Sequence, residues 1–373
     1  MNYNGINDNG DIKRKKKIAF YINVLTKGGA ERVMSQLANQ FAEHGYNVFL
    51  ISSFQSEGEY ILSPKVQRIN LENKQDFGNK LRRNIKLICE LRSVLKKIKP
   101  DVLVSFMQEP NFRAVIATRG LNIRTIVSVR NDPNMEYAGK VGNFVGKIVL
   151  PLADGCVFQT EDARQWFPKK IQKKSKIIFN EVSQKFFTQK WRPESQIIVS
   201  VGRLSEQKNQ KMLINAFVEV APDFPDCTLE IYGDGPLKND LQKQINKTKF
   251  SDRIFLKGNV DEVEKVLSRA SIFILSSDYE GMPNALLEAL AIGVPCISTD
   301  CPCGGPRMII RNKVNGILVP VSNYVYLSRS IRYLLDSPDK MEEISINAKK
   351  TAVKFDPLNI FKEWEEYIIK TER

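Results

Sequence analysis

The sequence predicts an α/β protein of two Rossmann-like parallel-sheet domains facing a central cleft. Three observations carry that expectation. The chain has 373 residues, enough for two domains with complete cores. Short apolar runs alternate with longer amphipathic stretches, which is the β-α-β rhythm of a parallel, doubly wound sheet. The rhythm stops once, near the middle of the chain, and then starts again.

The first sixteen residues read as a disordered tail running into the basic cluster KRKKK at 13–17. Residues 18–25 (IAFYINVL) read as a buried strand, followed by a helix from about Gly29 to Glu43. The next strand is NVFLISS at 47–53. Residues 79–99 form a helix, with Leu81, Ile85, Ile88, Leu91 and Leu95 at helical spacing and Pro100 as its stop. Further strands are DVLVSF from Asp101, TIVSV from Thr125, GCVF from Gly155 and KIIF from Lys176. Residues 180–195 (NEVSQKFFTQKWRPES) have no clear period and read as a linker. Strands resume at Gln196, Thr228, Ile254, Ser271 and Pro295, and two terminal helices cover about 338–353 and 357–371. The expected division is a tail at 1–16, an N-terminal domain at 17–190, a C-terminal domain at 191–355 and a terminal helix at 356–373. That last helix is expected to pack back toward the N-terminal domain.

Composition narrows the class. A hydrophobic share of 42% and a charged share of 26% fit a soluble globular chain. No apolar run reaches 18 residues, so no spanning helix is expected. The opening residues have no apolar stretch of the kind a secretory leader needs. The six cysteines (Cys89, Cys156, Cys227, Cys296, Cys301, Cys303) lack framework spacing, which suits a reducing cytoplasm. The net charge of +14 is lopsided: residues 1–200 hold 33 Lys and Arg against 18 Asp and Glu, and the remainder holds 23 against 24. A basic half suggests an anionic partner, such as a membrane surface, a nucleic acid or a phosphorylated substrate.

The segment EGMPNALLE places Glu280 just before a helix and Glu288 well inside it. Pro283 suits the first helical position, where its missing N–H is no loss. The free N–H groups of that first turn form an anion site. A carboxylate on either side would repel a bare phosphate but can accept hydrogen bonds from hydroxyls. A ligand with a diphosphate between two diols, such as a nucleotide sugar, fits this arrangement, and an ordinary surface helix fits the spacing equally well. Arg203 and Lys208, in VGRLSEQKN, follow the first strand of the second half and can offset a diphosphate. GDGP at 233–236 is ordinary turn chemistry by itself. Gly28 and Gly29, in TKGGAER, allow close backbone approach to a phosphate. Neither GxGxxG nor a Walker A motif occurs, so NAD and ATP sites lack support.

GGAER, VGRLxxxKN and EGMPNALLE occur together in an order and spacing that resemble the family 4 retaining glycosyltransferases, which have the GT-B fold. The similarity runs from about residue 17 to the C-terminus. SFMQEPN at 105–111, SVRNDP at 128–133 and DCPCGGPRMII at 300–310 resemble bacterial enzymes of O-antigen, capsule and lipid-linked glycan assembly. The resemblance implies that Arg203 and Lys208 neutralise the donor diphosphate, Glu280 contacts donor-sugar hydroxyls and Glu288 binds the ribose diol. It implies that Gly202 and the backbone of Gly281, Met282, Pro283 and Asn284 lie against the donor, with Gly28 and Gly29 approaching its phosphates. Gln108, Asn111 and Arg130 are the expected acceptor or sugar contacts. Some relatives carry His where Gln108 stands. The only histidine here, His44, ends a helix, so histidine acid–base chemistry in that loop is ruled out.

The implied function is metal-independent, retaining transfer of a hexose or N-acetylhexosamine from a nucleotide sugar (UDP-sugar first) to a polyprenyl-diphosphate-linked glycan. No cofactor is expected. CPC at 301–303 has no second thiol pair at zinc spacing, and no DxD triad occurs. The basic faces of the 79–99 helix (Lys80, Arg82, Arg83, Lys86, Arg92, Lys96, Lys97) suggest docking on the anionic inner face of the cytoplasmic membrane. The apolar stretch at 137–152 either lines an acceptor entrance or is a core helix. The rival readings are a sugar-nucleotide epimerase of the same fold, a basic nucleic-acid-binding protein and a catalytically dead binding subunit. The missing cleft histidine disfavours the first, and the absence of any nucleic-acid motif disfavours the second.

Overall fold

A computed structural model describes residues 15–26, 28–72 and 79–369. Residues 1–14, which make up most of the expected tail and include the first two residues of the KRKKK cluster, lie outside them.

The first sheet is wholly parallel. Its strands are β1 (Lys17–Ile22), β2 (Asn47–Phe54), β3 (Val66–Glu72), β4 (Val102–Phe106), β5 (Arg124–Ser128), β6 (Gly155–Phe158) and β7 (Ser175–Ile177), in spatial order 3-2-1-4-5-6-7. β1 pairs with β2 at Ile18↔Val48 and with β4 at Ile18↔Val102. Every residue of β4 and β6 is buried, as expected where helices cover both faces of a parallel sheet.

The second sheet repeats the plan. Its strands are β8 (Ile197–Val201), β9 (Thr228–Tyr232), β10 (Ile254–Gly258), β11 (Ile272–Leu275), β12 (Cys296–Thr299) and β13 (Ile317–Val319), in order 10-9-8-11-12-13. In both sheets the chain winds outward from the central strand, then crosses back to its other side. The strand order therefore reverses between β1 and β4 and between β8 and β11. Ligands of open α/β sheets bind beyond the carboxyl ends of the strands at such switch points.

Two strands have no counterpart in the sequence prediction, and both lie at sheet edges. β3 (VQRINLE) is mostly half-buried, and β13 has three residues, so neither presents a long apolar run. The predicted 79–99 helix spans Lys80–Ile98 and is capped by Asn79, whose side chain accepts from the N–H groups of Leu81 and Arg82. Its buried stripe is Leu87, Leu91 and Leu95, whereas Leu81 and Ile85 of the expected stripe are exposed. Only the carboxyl half of the helix is therefore fully sealed.

The chain forms two compact units. One holds the chain up to Phe158, Arg164–Ile178 and the segment from Phe361 on; the other holds Gln159–Ala163 and Phe179–Ile360. The crossover at Ile178/Phe179 precedes the 190/191 boundary predicted from sequence. Val182 and Phe186, within the predicted linker, pack into the second unit's core with Leu286, Leu290 and Phe355. The last helix, Pro357–Ile369, changes unit along its length. Within the first unit Trp364 is fully buried beside Phe106, with ring centroids 5.8 Å apart. Tyr367 accepts from Cys156 N–H (2.9 Å) and donates to Lys174 O (2.5 Å). Trp364→Ala should lower unfolding free energy by about 3–5 kcal/mol, the usual loss for emptying a buried Trp site. Urea denaturation would check this, and an unchanged midpoint would contradict the packing.

Candidate functional site

Four loops at the carboxyl edge of the second sheet build the site. They follow β8, β9, β11 and β12 and meet backbone to backbone. A Cβ on Gly233 (φ +132°) would lie 2.0 Å from Gly202 O, and one on Gly235 would lie 2.4 Å from Leu204 O. Main-chain bonds Gly202 N–H to Tyr232 O (2.9 Å) and Leu204 N–H to Asp234 O (3.0 Å) draw the first two loops together. The GDGP turn is therefore the layer against which GRL folds, and only glycine fits at those contacts.

The β11 and β12 loops are clamped in the same way. Glu280 N–H donates to Pro302 O (2.6 Å), and Cys303 N–H donates to Glu280 O (2.9 Å). A Cβ on Gly305 would lie 1.8 Å from Gly281 O. Burial, with Glu280 nearby, pushes the Cys301 thiol up to about 12, so it stays protonated at neutral pH.

This frame sets the charges. Lys208 Nζ lies 2.5 Å from Glu280 Oε1, and Ser277 Oγ donates to the same oxygen at 2.6 Å. The Glu280 side chain is 7% exposed and that of Lys208 21%. Both of these contacts fall on Oε1, which leaves Oε2 as the oxygen that can turn to a ligand. Asn209 (φ 44°) caps the Gln210–Val220 helix through Met212 N–H (3.1 Å) and donates to Asp278 Oδ1 (2.8 Å). Asp278 N–H donates to Gln207 O (2.8 Å), and Gln207 Nε2 donates to Tyr279 O (3.0 Å). The β8 and β11 loops are thus tied at both ends of the Lys208–Glu280 pair.

Pro283 is the residue before the helix, which runs Asn284–Ile292. The helix starts one residue later than the sequence predicts. Glu288 is buried in its second turn. Asn180 Nδ2 donates to Met282 O (3.1 Å) and Asn284 Oδ1 (2.7 Å), and its own Oδ1 accepts from Gln159 Nε2 (2.6 Å). Arg203 is exposed at the rim, with its carbonyl held by Gln210 Nε2 (2.9 Å).

Arg203, Lys208, Gly202, Glu280, Gly281, Met282, Pro283, Asn284 and Glu288 therefore all lie on this edge of one unit. Asn180, Gln207, Asn209, Ser277 and Gly305 were not predicted. The αL-prone Asn209 at a helix start is a usable signal, but Asn180 lies more than a hundred positions from Met282 and Asn284 and offers none.

The remaining predicted residues lie in the first unit. Gly28 and Gly29 follow β1, and the Glu31 carboxylate folds back against Gly28. Burial raises the Glu31 pKa above the ordinary carboxylate value. Gln108 opens the Gln108–Ala117 helix beyond β4. Asn111 is fully buried: it accepts from Ser105 Oγ (2.8 Å) and donates to Ser128 O (2.8 Å), so its amide ties β4 to β5. Arg130 is buried over the Phe106 ring at 4.5 Å, and desolvation pushes its pKa down to about 9 against the pull of Glu136. Among the described residues no cluster of three or more His, Cys, Asp or Glu is placed to hold a metal ion.

Two parallel Rossmann-like domains, with converging cationic and carboxylate side chains at a switch point, define a glycosyltransferase of the GT-B class. Residues 27–183 match the description "Glycosyltransferase Family 4", and residues 182–351 match "Glycosyl transferases group 1". The chain belongs to the family 4 glycosyltransferases. Over 95% of its length it is 26% identical to a GalNAc-α-(1→4)-GalNAc-α-(1→3)-diNAcBac-PP-undecaprenol α-1,4-N-acetyl-D-galactosaminyltransferase of Campylobacter jejuni, covering 99% of that protein. In fold it is similar to the lipopolysaccharide outer core galactosyltransferase WaaB (TM-score 0.78, 20% identity, 95% and 100% of the two chains). It is also similar to Anabaena HepE in complex with UDP (TM-score 0.76, 17% identity, 94% and 98%).

Gly305→Ala forces backbone against backbone and should destabilise the second unit by about 2 kcal/mol or more. Thermal unfolding at matched buffer would read it, and a wild-type melting curve would contradict the contact. Glu280→Ala strands Lys208 in a mostly buried place and should cost about 1–3 kcal/mol. Glu280→Gln keeps an acceptor there and should cost less in the same measurement.

Proposed function

We propose that this glycosyltransferase moves a hexose or N-acetylhexosamine from a UDP-sugar to a polyprenyl-diphosphate-linked glycan, with retention at the anomeric carbon and without a metal. The observation that carries the reading is the Lys208–Glu280 pair before the N-terminus of the Asn284–Ile292 helix, with Arg203 exposed on the same β8 loop as Lys208. Cations and a helix N-terminus suit a departing diphosphate, and the buried carboxylate suits neutral hydroxyls. The acceptor class is supported by the undecaprenol-linked substrate in the Campylobacter relative's name, and UDP by the Anabaena complex.

In this reading Arg203 and Lys208 take up charge on the diphosphate as the bond from the anomeric carbon to its oxygen breaks. Glu280 turns its outer oxygen to a sugar hydroxyl, and Glu288 takes the ribose diol. The acceptor oxygen bonds to the anomeric carbon on the face the leaving group vacates. Its proton passes to the departing phosphate oxygen, so no side-chain base is required. The work falls on electrostatic stabilisation, which fits a site rich in fixed donors. Gly28 and Gly29 are assigned to the donor phosphates, and Gln108 to a sugar or acceptor hydroxyl.

The same proposal places the enzyme at the inner face of the cytoplasmic membrane, on anionic lipid. No helix among the described residues is long and apolar enough to cross a membrane. The Lys80–Ile98 helix exposes Leu81 and Ile85 beside Lys80, Arg82 and Lys86. The run from Gly139 to Leu152 exposes Val141 (77%), Phe144 (56%) and Ile148 (56%). Both elements pack on the Gln108–Ala117 helix, so they share one helical layer. Exposed apolar side chains among cations suit a negatively charged interface. Arg92 is used internally instead, donating to Ala117 O and Arg119 O (both 2.7 Å).

Release of nucleoside diphosphate from a panel of UDP-, GDP- and ADP-sugars, with and without lipid-linked glycan, tests the transfer. One donor should respond to the acceptor, EDTA should leave the rate unchanged and NMR should show a retained anomer. Lys208→Met and Glu280→Gln should each lower kcat by about 10²–10³-fold, as for lost transition-state donors. Folded protein that neither binds nor cleaves any of these donors would refute the reading. Phe144→Glu together with Ile148→Glu should abolish co-sedimentation with phosphatidylglycerol vesicles while leaving transfer to a water-soluble acceptor intact. Undiminished sedimentation would remove the membrane assignment.

A further inference from the structure

Away from Glu280, the first unit holds a carboxylate to which the transfer chemistry gives no role. Glu136 closes the short helix Pro133–Glu136, which Asp132 caps through Asn134 N–H (2.9 Å). Its Oε1 accepts Gln108 N–H at 2.8 Å, and Asn131 N–H also bonds the carboxylate. Its Oε2 is sealed from solvent with no hydrogen-bond partner. Gln108 is the first residue of a ten-residue helix, so the carboxylate sits at a helix N-terminus, where unsatisfied N–H groups and the dipole favour negative charge.

The preceding residue is strained. Met107 has φ 76° and ψ 158°, a region that residues other than glycine seldom enter. Such a backbone persists only where its surroundings over-determine it, and it tends to mark a functional loop. Here Met107 N–H donates to Ser128 O (3.3 Å), Asn111 N–H donates to Met107 O (2.9 Å), and Glu136 fixes the next N–H. The turn stands at the carboxyl edge of β4, on the switch-point side of the first sheet.

We propose that Glu136 is a positioning residue: its buried carboxylate holds the Met107–Gln108 turn in its strained form, so that the half-buried Gln108 side chain is presented at the carboxyl edge of β4. The inference rests on the assignment of Gln108 to a sugar or acceptor hydroxyl. Glu136 acts through Gln108 and is not itself placed against substrate.

The hold depends on protonation. The groups facing Glu136 are Arg130 beyond β5, Tyr137 next along the chain, Cys156 on β6, and the N–H groups of Gln108 and Asn131. Arg130 and the two N–H groups draw the carboxyl pKa down, but burial outweighs them and pushes it up to about 7. Burial also raises Tyr137 and Cys156 well above their ordinary values, so both stay neutral. Protonation converts one carboxyl oxygen to a donor and weakens the acceptor for Gln108 N–H. The folded-state value lies above the ordinary 4.5, so the stability this group contributes is complete below about 4.5 and is lost as pH rises through about 7.

Amide hydrogen exchange on the full chain, from pH 6 to 8, tests the clamp without relying on activity. After correction for intrinsic exchange, protection at Gln108 should change with a midpoint near 7. Glu136→Gln should remove that midpoint and flatten the rise of stability with acidity between about 4.5 and 7. Glu136→Ala should speed exchange at Gln108 at least tenfold while leaving β8–β13 unchanged. In kinetics, Glu136→Ala should lower kcat/KM for acceptor at least tenfold with the donor KM unaltered. Glu136→Gln should keep most of the activity at pH 7 and lose the pH step. Wild-type exchange and an unaltered pH profile in both variants would overturn the proposal. A wild-type exchange step in a protein that transfers no sugar would support the clamp and remove the transfer reading alone.

Discussion

The candidate site depends on backbone touching backbone at the carboxyl edge of the second sheet. Gly233 against Gly202, Gly235 against Leu204 and Gly305 against Gly281 leave no room for a side chain. At that separation the loops exchange main-chain hydrogen bonds, as between Glu280 and the Pro302–Cys303 segment. Such contacts have almost no rotamer freedom, so the side chains that leave them start from fixed positions. Preorganisation of this kind lets a donor-rich site stabilise developing charge without reorganising at the moment of reaction.

The charges follow from that frame. A carboxylate as buried as Glu280 needs an acceptor's partners close by, and Lys208 and Ser277 supply them on one oxygen. The pair ties the β8 loop to the β11 loop, and the Asn209–Asp278 and Gln207–Tyr279 bonds repeat the tie on either side. Lys208 therefore has two tasks. It balances Glu280 across the two loops, and in the proposed reaction it answers to the diphosphate.

The first unit uses polar groups differently. Asn111 is consumed in joining β4 to β5, and Arg130 lies over Phe106 rather than in solvent. These residues hold the strand ends and the turn that carries Gln108. Exposed apolar side chains occur instead on the helical layer, at Val141, Phe144 and Ile148. On the inner side of that segment Gly146 lies so close to Trp166 that a Cβ would fall 2.7 Å from the ring. The run thus packs tightly inward and presents its larger side chains outward.

The fold class, the strands of both sheet interiors and the loops that carry Arg203, Lys208, Glu280 and Glu288 are all legible in the order of residues along the chain. Those signals are local: a buried parallel strand reads as an unbroken apolar run, and a helix start declares itself through Pro283 and the glycines around it. Edge strands β3 and β13 escaped because a half-covered strand is short or only partly apolar. Tertiary structure alone decided that Asn180 supports Met282, that Gly305 seats Gly281, that Asn111 faces inward and that Glu136 reaches Gln108. Each of these is a contact between segments whose spacing along the chain carries no period. Their partners are set by how strands stack in a sheet, and a residue's neighbours in sequence hold no record of that.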